Sequence, residues 1–299
     1  MDGVILVDKP AGVTSHDVVA RVRREVVGRE RSRKGVGKVR VGHAGTLDPF
    51  ATGLLVVLLG RATRVQALVM ALPKRYEATA RFGFTSTTGD PEGQITDTGR
   101  IPPEPLELPT GTIFQRPPAY SAVHVEGKRA YELARKGIAV ELPEREVQVH
   151  RFERTAHDRF VIECSAGTYV RTLIAELGDA YCTALRRTAV GPFDVADATV
   201  EATQGDLIDL TDALGRFLPV LHLEGEPARR AAHGLAIKRP ATGACAPDGA
   251  SRTPPGTGAG PLGAAGLAGT VLLCDAHGPI ALAEGRPGAT LKPVVGFRG

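Results

Sequence analysis

Aromatic residues are scarce in this 299-residue chain, which has no tryptophan, five tyrosines and nine phenylalanines. A protein that stacks a long single strand of nucleic acid base by base needs more aromatic platforms than this. Cysteines are scarce as well, and the four in the chain form no C-x-x-C pair and have no histidine at ligand spacing. We therefore expect reduced thiols rather than a zinc site or a disulfide framework. The four are Cys164, Cys182, Cys245 and Cys274.

Long hydrophobic runs are also missing. No run approaches the ~18 apolar residues of a membrane-spanning helix. Near the N-terminus there is only the short run Val4 to Val7, between Asp2 and Asp8, which fits no secretory signal. We therefore expect a cytoplasmic protein without membrane contact. The hydrophobic content of 42% is enough to bury a core, and the length suits two domains of roughly 100–200 residues each.

Positive charge is concentrated in one segment. The net charge of the chain is +4, but residues 21–40 hold nine Lys or Arg against two Glu, a local charge of +7 that leaves −3 for the rest. A basic segment on an otherwise slightly acidic protein suggests a phosphate-bearing partner that is contacted in one place. The alternative is a solvated surface run, which is as common for such segments taken alone. Residues expected to contact phosphates here are Arg31, Arg33 and Lys34.

Hydrophobic spacing predicts a mixture of helices and strands. Apolar residues recur every four positions after Thr14 and Ser15, which indicates an amphipathic helix with a recognisable start. Alternating residues predict strands over 76–84 and 159–164. Short helices are predicted over 129–136, closed by Gly137, and in the run that begins at residue 168 and stops at Gly178. Because strands and helices do not alternate regularly, the pattern favours an α+β fold over a doubly wound sheet.

Residues 240–270 are dominated by Gly, Pro, Ala and Thr without a sustained period, so we expect a disordered loop. A literal G-x-G-x-x-G occurs there at Gly258, Gly260 and Gly263, but no strand precedes it, no helix follows it, and Pro261 lies inside it. That context excludes a dinucleotide-binding turn. The apolar patterning on either side of the loop suggests a small C-terminal domain.

The stretch GHAGTLDPFATGLLVVLLG (residues 42–60) places one carboxylate, Asp48, shortly before the apolar run Leu54 to Leu59. Pro49 disfavours helical geometry at Asp48, and the nearby glycines allow unusual backbone angles. We expect the acid on a rigid loop joined to a buried strand, the kind of position where catalytic groups are found. A turn aspartate that caps its own loop is the alternative.

This stretch resembles the signature that surrounds the catalytic aspartate of the bacterial tRNA pseudouridine-55 synthases. Five further segments resemble motifs of the same family and follow in the family's order, so that the resemblance covers roughly residues 3–200. They are KPAGVTSHDVV (9–19), KRYEATARFG (74–83), PPAYSAVHVEGKRAYELARKG (117–137), CSAGTYVRTLIAELG (164–178) and ALRRTAVGPF (184–193).

The resemblance implies a pseudouridine-synthase fold. Its catalytic domain, over residues 1–214, has a mixed, mostly antiparallel sheet flanked by helices and loops. An RNA-gripping insertion is expected at about 115–147. A small, β-rich, PUA-like domain is expected over 215–299, although the final third resembles the family only loosely. The basic run 29–40 is longer than the family's usual connection.

The resemblance also implies catalytic roles. Asp48 matches the family's nucleophile, and Arg171 matches the arginine whose planar fork holds that carboxylate. Tyr76 matches the residue that stacks on the target base after it has left its own stack. The same match implies that Tyr169 packs beside Asp48, and an extended chain from Tyr169 to Arg171 would put both side chains on one face.

A second group of residues is expected to bind the RNA. Leu185 matches the apolar wall of the site, and His43 matches a residue that holds the RNA loop with its base turned out. Four more fall inside the matched motifs: Lys9, Lys74, Tyr120 and Lys128.

The implied reaction detaches uracil from ribose at N1, turns it and rejoins it through C5, at position 55 in the T-loop of tRNA. An isomerisation needs no redox cofactor, ATP or metal, and we expect none. A carboxylate suits the nucleophile because it is ionised at neutral pH and is both nucleophile and leaving group. The expected partner is tRNA, which the chain would bind as a monomer without an obligate protein partner.

Two other readings of the sequence compete with this one. The scaffold could bind or fold RNA without turnover, although simple binding does not require a nucleophile. The GHAG tetrapeptide could be the G-x-x-G clamp of a KH module, but that clamp joins two helices, whereas here Asp-Pro and a buried strand follow.

Overall fold

The computed structural model describes residues 1–28, 39–121, 123–125, 127–138, 142–240, 244–245 and 269–298. The predicted phosphate contacts Arg31, Arg33 and Lys34 lie outside the described residues and stay predictions. The same holds for most of the predicted loop 240–270, of which residues 241–243 and 246–268 are not described.

Strands dominate the described part of the chain. Before residue 210 they are β1 (Gly3–Lys9), β2 (Val41–His43), β3 (Thr52–Leu59), β4 (Lys74–Phe82), β5 (Phe84–Ser86), β6 (Ile95–Asp97), β7 (Gly111–Gln115), β8 (His124–Val125), β9 (Lys128–Arg129), β10 (Arg145–Ala156), β11 (Arg159–Cys164), β12 (Ala180–Val190), β13 (Phe193–Asp194) and β14 (Ile208–Asp209). The later strands are β15 (Val220–His222), β16 (Ile237–Lys238), β17 (Ala244–Cys245), β18 (Thr270–Asp275), β19 (Gly278–Arg286) and β20 (Thr290–Gly296).

Helices are short. Among the described residues the α-helices are α1 (Ser15–Val22), α2 (Gln66–Ala71), α3 (Ala130–Arg135), α4 (Val170–Ala175), α5 (Leu210–Gly215) and α6 (Gly225–Ala232). A π-helical turn, Arg23–Val27, continues α1, and 3-10 turns occupy Gly60–Val65, Val195–Asp197 and Gln204–Asp206.

The main sheet has the strand order β14-β1-β3-β12-β4-β11-β10-β7, with β2 paired to β3 and β13 paired to β12. The β3–β12 pairing is parallel, and the other pairings in this sheet are antiparallel. This confirms the predicted α+β class with a mixed, mostly antiparallel sheet. The parallel contact brings β12 beside the strand that follows Asp48.

Strand β3 explains the unbroken apolar run Leu54 to Leu59. Every residue from Leu54 to Leu59 is fully buried. The even-numbered side chains pack into one core cluster and the odd-numbered ones into another, on the opposite face of the sheet. A strand that is covered on both faces has no position for a polar residue, which is why alternation is absent here.

A second sheet, with the order β16-β20-β19-β18-β15-β17, forms the C-terminal region. Its strand-rich character agrees with the expected β-rich domain. Leu272 and Phe297 of this region join Leu58 of β3 and Leu214 of α5 in one core cluster, so the two sheets share a core. The boundary at residue 215 and the limits of the insertion stay predictions.

The predicted helices are present with shorter bounds. Thr14 caps α1 in a capping box with Asp17, whose carboxylate accepts from the Thr14 N–H at 2.9 Å while the Thr14 hydroxyl accepts from the Asp17 N–H at 3.1 Å. The chain turns into α4 at Val170, so Arg171 lies in the first helical turn. The condition of an extended chain from Tyr169 to Arg171 is therefore not met.

Two further features of the described residues bear on the predictions. No helix among them has the length and apolar character needed to cross a bilayer. Within the predicted disordered loop, Ala244 and Cys245 form β17 and pair with Leu221 and Val220. The prediction of a loop without secondary structure is therefore wrong at these two positions.

Candidate active site

Asp48 lies in the loop between β2 and β3, and the residues on either side of it are held by the backbone of other elements. The Leu47 N–H donates to the Ser15 hydroxyl at 2.9 Å, and that hydroxyl donates to the Leu47 carbonyl at 3.1 Å. The Pro49 carbonyl accepts from the Gly12 N–H at 2.8 Å. Because both neighbours are anchored, the Asp48 side chain projects from a fixed backbone, as the sequence predicts for this loop.

The ammonium of Lys9 completes this anchorage. It has no exposed surface and donates to the carbonyls of Pro10, Val13 and Pro49 at 2.9, 2.8 and 3.2 Å. Burial lowers its pKa to about 8, against the opposing charge of Asp48. Lys9 therefore stabilises the Asp48 loop from inside the protein, and its predicted contact with RNA stays a prediction.

The Asp48 carboxylate is partly open and faces a buried guanidinium. Its side chain is 34% exposed, and Oδ2 lies 3.0 Å from Nε of Arg171. Nε has no well-aligned hydrogen-bond acceptor among the described residues, so the contact is an ion pair without a directed hydrogen bond. Burial raises the pKa of Asp48, and Arg171 opposes that rise. Protein atoms surround the carboxylate closely enough for burial to prevail over the cation.

Arg171 is shared between two carboxylates. Its side chain is 4% exposed, and Nη1 donates to Oδ2 of Asp90 at 2.6 Å and to the carbonyl of Thr88 at 2.7 Å. Nη2 donates to the Tyr120 carbonyl at 3.1 Å. These three bonds fix the plane of the guanidinium on the side away from Asp48, so that Nε is presented to the Asp48 carboxylate.

Asp90 is a site residue that the sequence analysis missed. Its side chain is 5% exposed, and Oδ1 accepts from the Thr88 hydroxyl at 2.6 Å and from the Glu92 N–H at 3.0 Å. The available signal was a second Asp-Pro dipeptide in a polar turn, TTGDPEG (87–93), which repeats the Asp-Pro of residues 48–49. Its charge raises the pKa of Asp48, so the two acids share one electrostatic environment.

Arg187 is a second missed residue and, among the described residues, the largest fully buried side chain, at 1% exposed. Nε donates to the Leu54 carbonyl at 2.8 Å, Nη2 to that of Gly45 at 3.0 Å and Nη1 to that of Thr46 at 3.4 Å. It thus ties β12 to the loop that carries Asp48. Gly53 is required opposite it, because a Cβ there would lie 2.3 Å from the Arg187 carbonyl oxygen and the backbone φ is +101°.

Tyr76 on β4 is paired directly with Arg187 across the sheet, and Ala78 is paired with Leu185. The four side chains therefore lie on one face, where Tyr76 and Leu185 pack with the core beneath Asp48. Burial raises the pKa of the Tyr76 hydroxyl, while the charge of Arg187 and a hydrogen bond from it act in the opposite direction. The charge of Asp48 also reaches this hydroxyl, so the predicted residues Asp48, Tyr76 and Leu185 come together.

Tyr169 precedes α4 and is half-buried. Its backbone N–H donates to Oε1 of Gln115 at 2.7 Å, and its carbonyl accepts from Nε2 of the same side chain at 3.1 Å. The guanidinium carbon of Arg145 lies 5.0 Å from the centre of its ring. The sequence analysis predicted Tyr169 but not these two neighbours.

The other predicted RNA contacts fall in different environments. Half-buried His43 lies on β2 with its ring edge-on to His16 at 6.0 Å. Tyr120 is 36% exposed and reaches the site through its carbonyl. Lys128 lies in β9.

Lys74, in contrast, is only 7% exposed and donates to the carbonyls of Leu72, at 2.5 Å, and Met70. Burial lowers its pKa to about 8, helped by the charge of Arg187. The predicted contact of Lys74 with RNA stays a prediction.

Comparisons with known proteins agree with this geometry. A family model described as TruB family pseudouridylate synthase, N-terminal domain, matches residues 33–170. The chain is 42% identical to tRNA pseudouridine synthase B of Thermobifida fusca, with 100% of this chain and 99% of that protein covered. It is 44% identical to the protein of that name from Corynebacterium aurimucosum, over 78% of this chain and 83% of the relative.

Solved structures show the same fold at lower identity. A crystal structure of a Cbf5-Nop10-Gar1 complex matches with a TM-score of 0.63 and 23% identity, covering 99% of this chain and 84% of that one. A structure of an H/ACA RNP bound to a substrate RNA containing 2'-deoxyuridine matches with a TM-score of 0.63 and 21% identity, covering 99% and 85%. These likenesses confirm the predicted pseudouridine-synthase fold.

Proposed function

The chain belongs to the TruB family of pseudouridylate synthases, and we propose that it converts the uridine at position 55 of tRNA to pseudouridine with Asp48 as the nucleophile. The relatives named tRNA pseudouridine synthase B support tRNA as the substrate. One observation carries the role of Asp48, namely the ion pair between its partly open carboxylate and the buried guanidinium of Arg171.

The reaction leaves the composition of the nucleoside unchanged. Asp48 forms a covalent bond with the nucleoside, and the N1–C1′ bond breaks. The uracil turns within the site, a C5–C1′ bond forms, and the carboxylate is released. The proton on C5 is lost, and N1 gains one. A carboxylate suits both attack and departure because it is a competent nucleophile and a stable leaving group.

Arg171 keeps Asp48 reactive by the way in which it is held. A carboxylate that accepted two strong hydrogen bonds from a guanidinium would be stabilised in its ground state, which lowers nucleophilicity. Here Asp90 and two carbonyls take the Nη donors of Arg171, and Asp48 faces Nε without an aligned hydrogen bond. The cation favours ionisation of Asp48 while leaving its oxygens available to the substrate.

The surroundings of Asp48 suit a base that has left its stack. Tyr76 and Leu185 offer an aromatic face and an apolar wall on one side of the sheet, where a flipped uracil packs with little loss of its stacking energy. Tyr169 closes the site beside α4. This accords with recognition of one splayed base in a folded RNA loop, which the low aromatic content also favours.

We assign RNA contacts to His43, Tyr120 and Lys128, and phosphate contacts to the basic residues Arg31, Arg33 and Lys34. Because tRNA is modified where it is made and used, we assign the protein to the cytoplasm. We assign it a monomeric state, in which its own sheets supply the whole site.

The proposal is tested by incubating the protein with an unmodified tRNA transcript and mapping pseudouridine at nucleotide resolution. A single new pseudouridine at position 55 is expected. A transcript with cytidine at that position should remain unmodified and serves as the control. Modification at another position would correct the substrate site, and binding without any modification would favour the reading of a non-catalytic RNA-binding protein.

A further inference from the structure

The insertion predicted at about 115–147 leaves the main sheet at β7 and returns at β10. Gln115, the last residue of β7, is paired in register with Arg145, the first residue of β10. The segment between them therefore begins and ends at one point of the sheet. Both residues at that point contact Tyr169, which lies 54 positions from Gln115.

Gln115 holds the backbone of Tyr169 from both sides. The side chain has no exposed surface, and its amide pairs with the N–H and the carbonyl of Tyr169 at 2.7 and 3.1 Å. Tyr169 is the N-cap of α4, and its own side chain makes no capping hydrogen bond. The Gln115 amide thus satisfies both backbone groups of the N-cap. It thereby fixes the residue at which α4 begins and the direction of Arg171 in the first turn.

Arg145 holds the ring of Tyr169. Its guanidinium carbon lies 5.0 Å from the ring centre, and Nη2 donates to the carbonyl of Gly167. A Cβ on Gly167 would lie 3.5 Å from the guanidinium carbon, so the plane packs between the glycine backbone and the ring. No ion pair joins Arg145 to a carboxylate in the described part of the chain, although it is a cation. Its contacts therefore go to the segment 167–169.

A third contact runs directly to the guanidinium of the site. The carbonyl of Tyr120, within the insertion, accepts from Nη2 of Arg171 at 3.1 Å. These contacts, made by described residues of the insertion, converge on residues 167–171, the segment that carries Tyr169 and presents Arg171 to Asp48. A shift of about 1 Å in such a segment is enough to misalign a reacting group.

We propose that Gln115 and Arg145 are positioning residues, a clamp at the base of the insertion that sets Tyr169 and Arg171 and so couples the insertion to the nucleophile. The inference rests on the proposed function. It predicts that the clamp acts on the rate of the chemical step rather than on the affinity for tRNA. Neither residue touches the reacting atoms in this account.

The test compares Arg145→Met, Arg145→Lys and Gln115→Met with Arg116→Met. Arg116 is adjacent to Gln115, 59% exposed, and paired only with Glu144 among described carboxylates, so its variant removes the same charge from the base of the insertion. Single-turnover rates of pseudouridine formation and tRNA dissociation constants are measured for each. The three clamp variants should react at least about tenfold more slowly, with dissociation constants within about twofold of wild type.

The pH profile separates positioning from general loosening. If Arg171 is displaced from Asp48, the pKa of that carboxylate rises further, and the acid limb of the single-turnover rate moves to higher pH. The Arg116→Met profile should match wild type. Clamp variants with an unmoved acid limb, or no slower than Arg116→Met, would overturn the inference. A loss confined to Arg145→Met with weaker binding would instead assign Arg145 to the RNA by its charge.

An activity-independent measurement distinguishes failure of the clamp from failure of the proposed function. The chain has five tyrosines, so ring-labelled tyrosine gives few NMR signals, and Tyr169→Phe identifies that of residue 169. Its shift should change in Arg145→Lys and stay constant in Arg116→Met. Wild-type protein that makes no pseudouridine would refute the proposed function, whereas an unchanged Tyr169 signal would refute the clamp.

Discussion

Replacing Asp90 with asparagine tests the electrostatic account of the site. The two oxygens of Asp90 have separate tasks: Oδ1 accepts from Thr88 and the Glu92 N–H, and Oδ2 accepts from Arg171 at 2.6 Å. An amide that keeps its oxygen at the Oδ1 position retains the first pair of bonds. It then presents an NH₂ group to the guanidinium, so the loss is concentrated on Arg171.

The magnitude follows from that single bond. A hydrogen bond to a charged group contributes about 1.5–3 kcal/mol. If this anchoring of Arg171 is carried into the transition state, the rate falls by about ten- to a hundredfold, at ~1.4 kcal/mol for each factor of ten. The direction of the pH shift is a second, independent expectation. Asp90 raises the pKa of Asp48, so its neutralisation should move the acid limb of the rate to lower pH.

The assay is the single-turnover rate on a tRNA transcript across the acid range. Arg171→Gln should move the acid limb in the opposite direction, because Arg171 is the strongest cationic influence that holds the pKa of Asp48 down. Asp97→Asn, at an exposed position of β6, removes an equal charge and should leave the profile unchanged. An acid limb that stays in place or rises in Asp90→Asn would refute the shared-guanidinium account.

Three more outcomes are expected. Asp48→Asn should abolish pseudouridine formation and preserve tRNA binding, and measurable turnover would refute the role of Asp48 as nucleophile. Because burial raises the pKa of the native carboxyl, the variant should resist urea better than wild type at pH 7, and this advantage should shrink at acid pH. Arg187→Lys loses the planar guanidinium that donates to three carbonyls and should lower the free energy of unfolding by about 2–3 kcal/mol. Arg186→Lys, at the half-exposed neighbouring position, should not lower it. Neutralising the three basic residues of positions 31–34 should flatten the salt dependence of tRNA affinity; an unchanged slope would make that run a solvated surface.

The loop of Asp48 and the strand behind it were predictable because their signals are local. A run of apolar residues without alternation indicates burial on both faces, and β3 has its two sets of side chains in two clusters. Proline after Asp48 and the surrounding glycines are equally local constraints. The α+β class followed from the irregular order of such elements.

The partners of Asp48 were harder to predict from the sequence, because residues that contact each other there lie far apart along the chain. Asp90 and Arg171 are 81 positions apart, and Arg187 and Gly45 are 142 apart. Spacing and composition carry no record of such pairs. Resemblance to a family identified Arg171, but the acid that shares it, in the turn between β5 and β6, and the buried arginine of β12 are identified by their contacts in the structure.

For Lys9 and Lys74 the local sequence carries no sign that the side chains are buried. Lysine is almost never fully buried, so a lysine inside an RNA-binding motif is read as a surface cation. Both ammonium groups instead donate to backbone carbonyls, at 0% and 7% exposure. The acceptors lie where the chain turns, at Pro10 and Val13 for Lys9 and at the end of α2 for Lys74, and no local sequence pattern marks them as partners of a buried lysine.

Asp48, Lys9 and Lys74 each cost the folded protein stability when they are charged. Burial raises the pKa of Asp48 and lowers those of Lys9 and Lys74 to about 8. Ionised Asp48 therefore costs stability above its native pKa. Each charged lysine costs stability below about pH 8. The cost falls as the pH rises from about 8 to the lysine's ordinary pKa of 10.5, because in that range the unfolded chain binds more protons than the folded protein. Near neutral pH both lysines are charged, so the anchor of the Asp48 loop is maintained by the rest of the core.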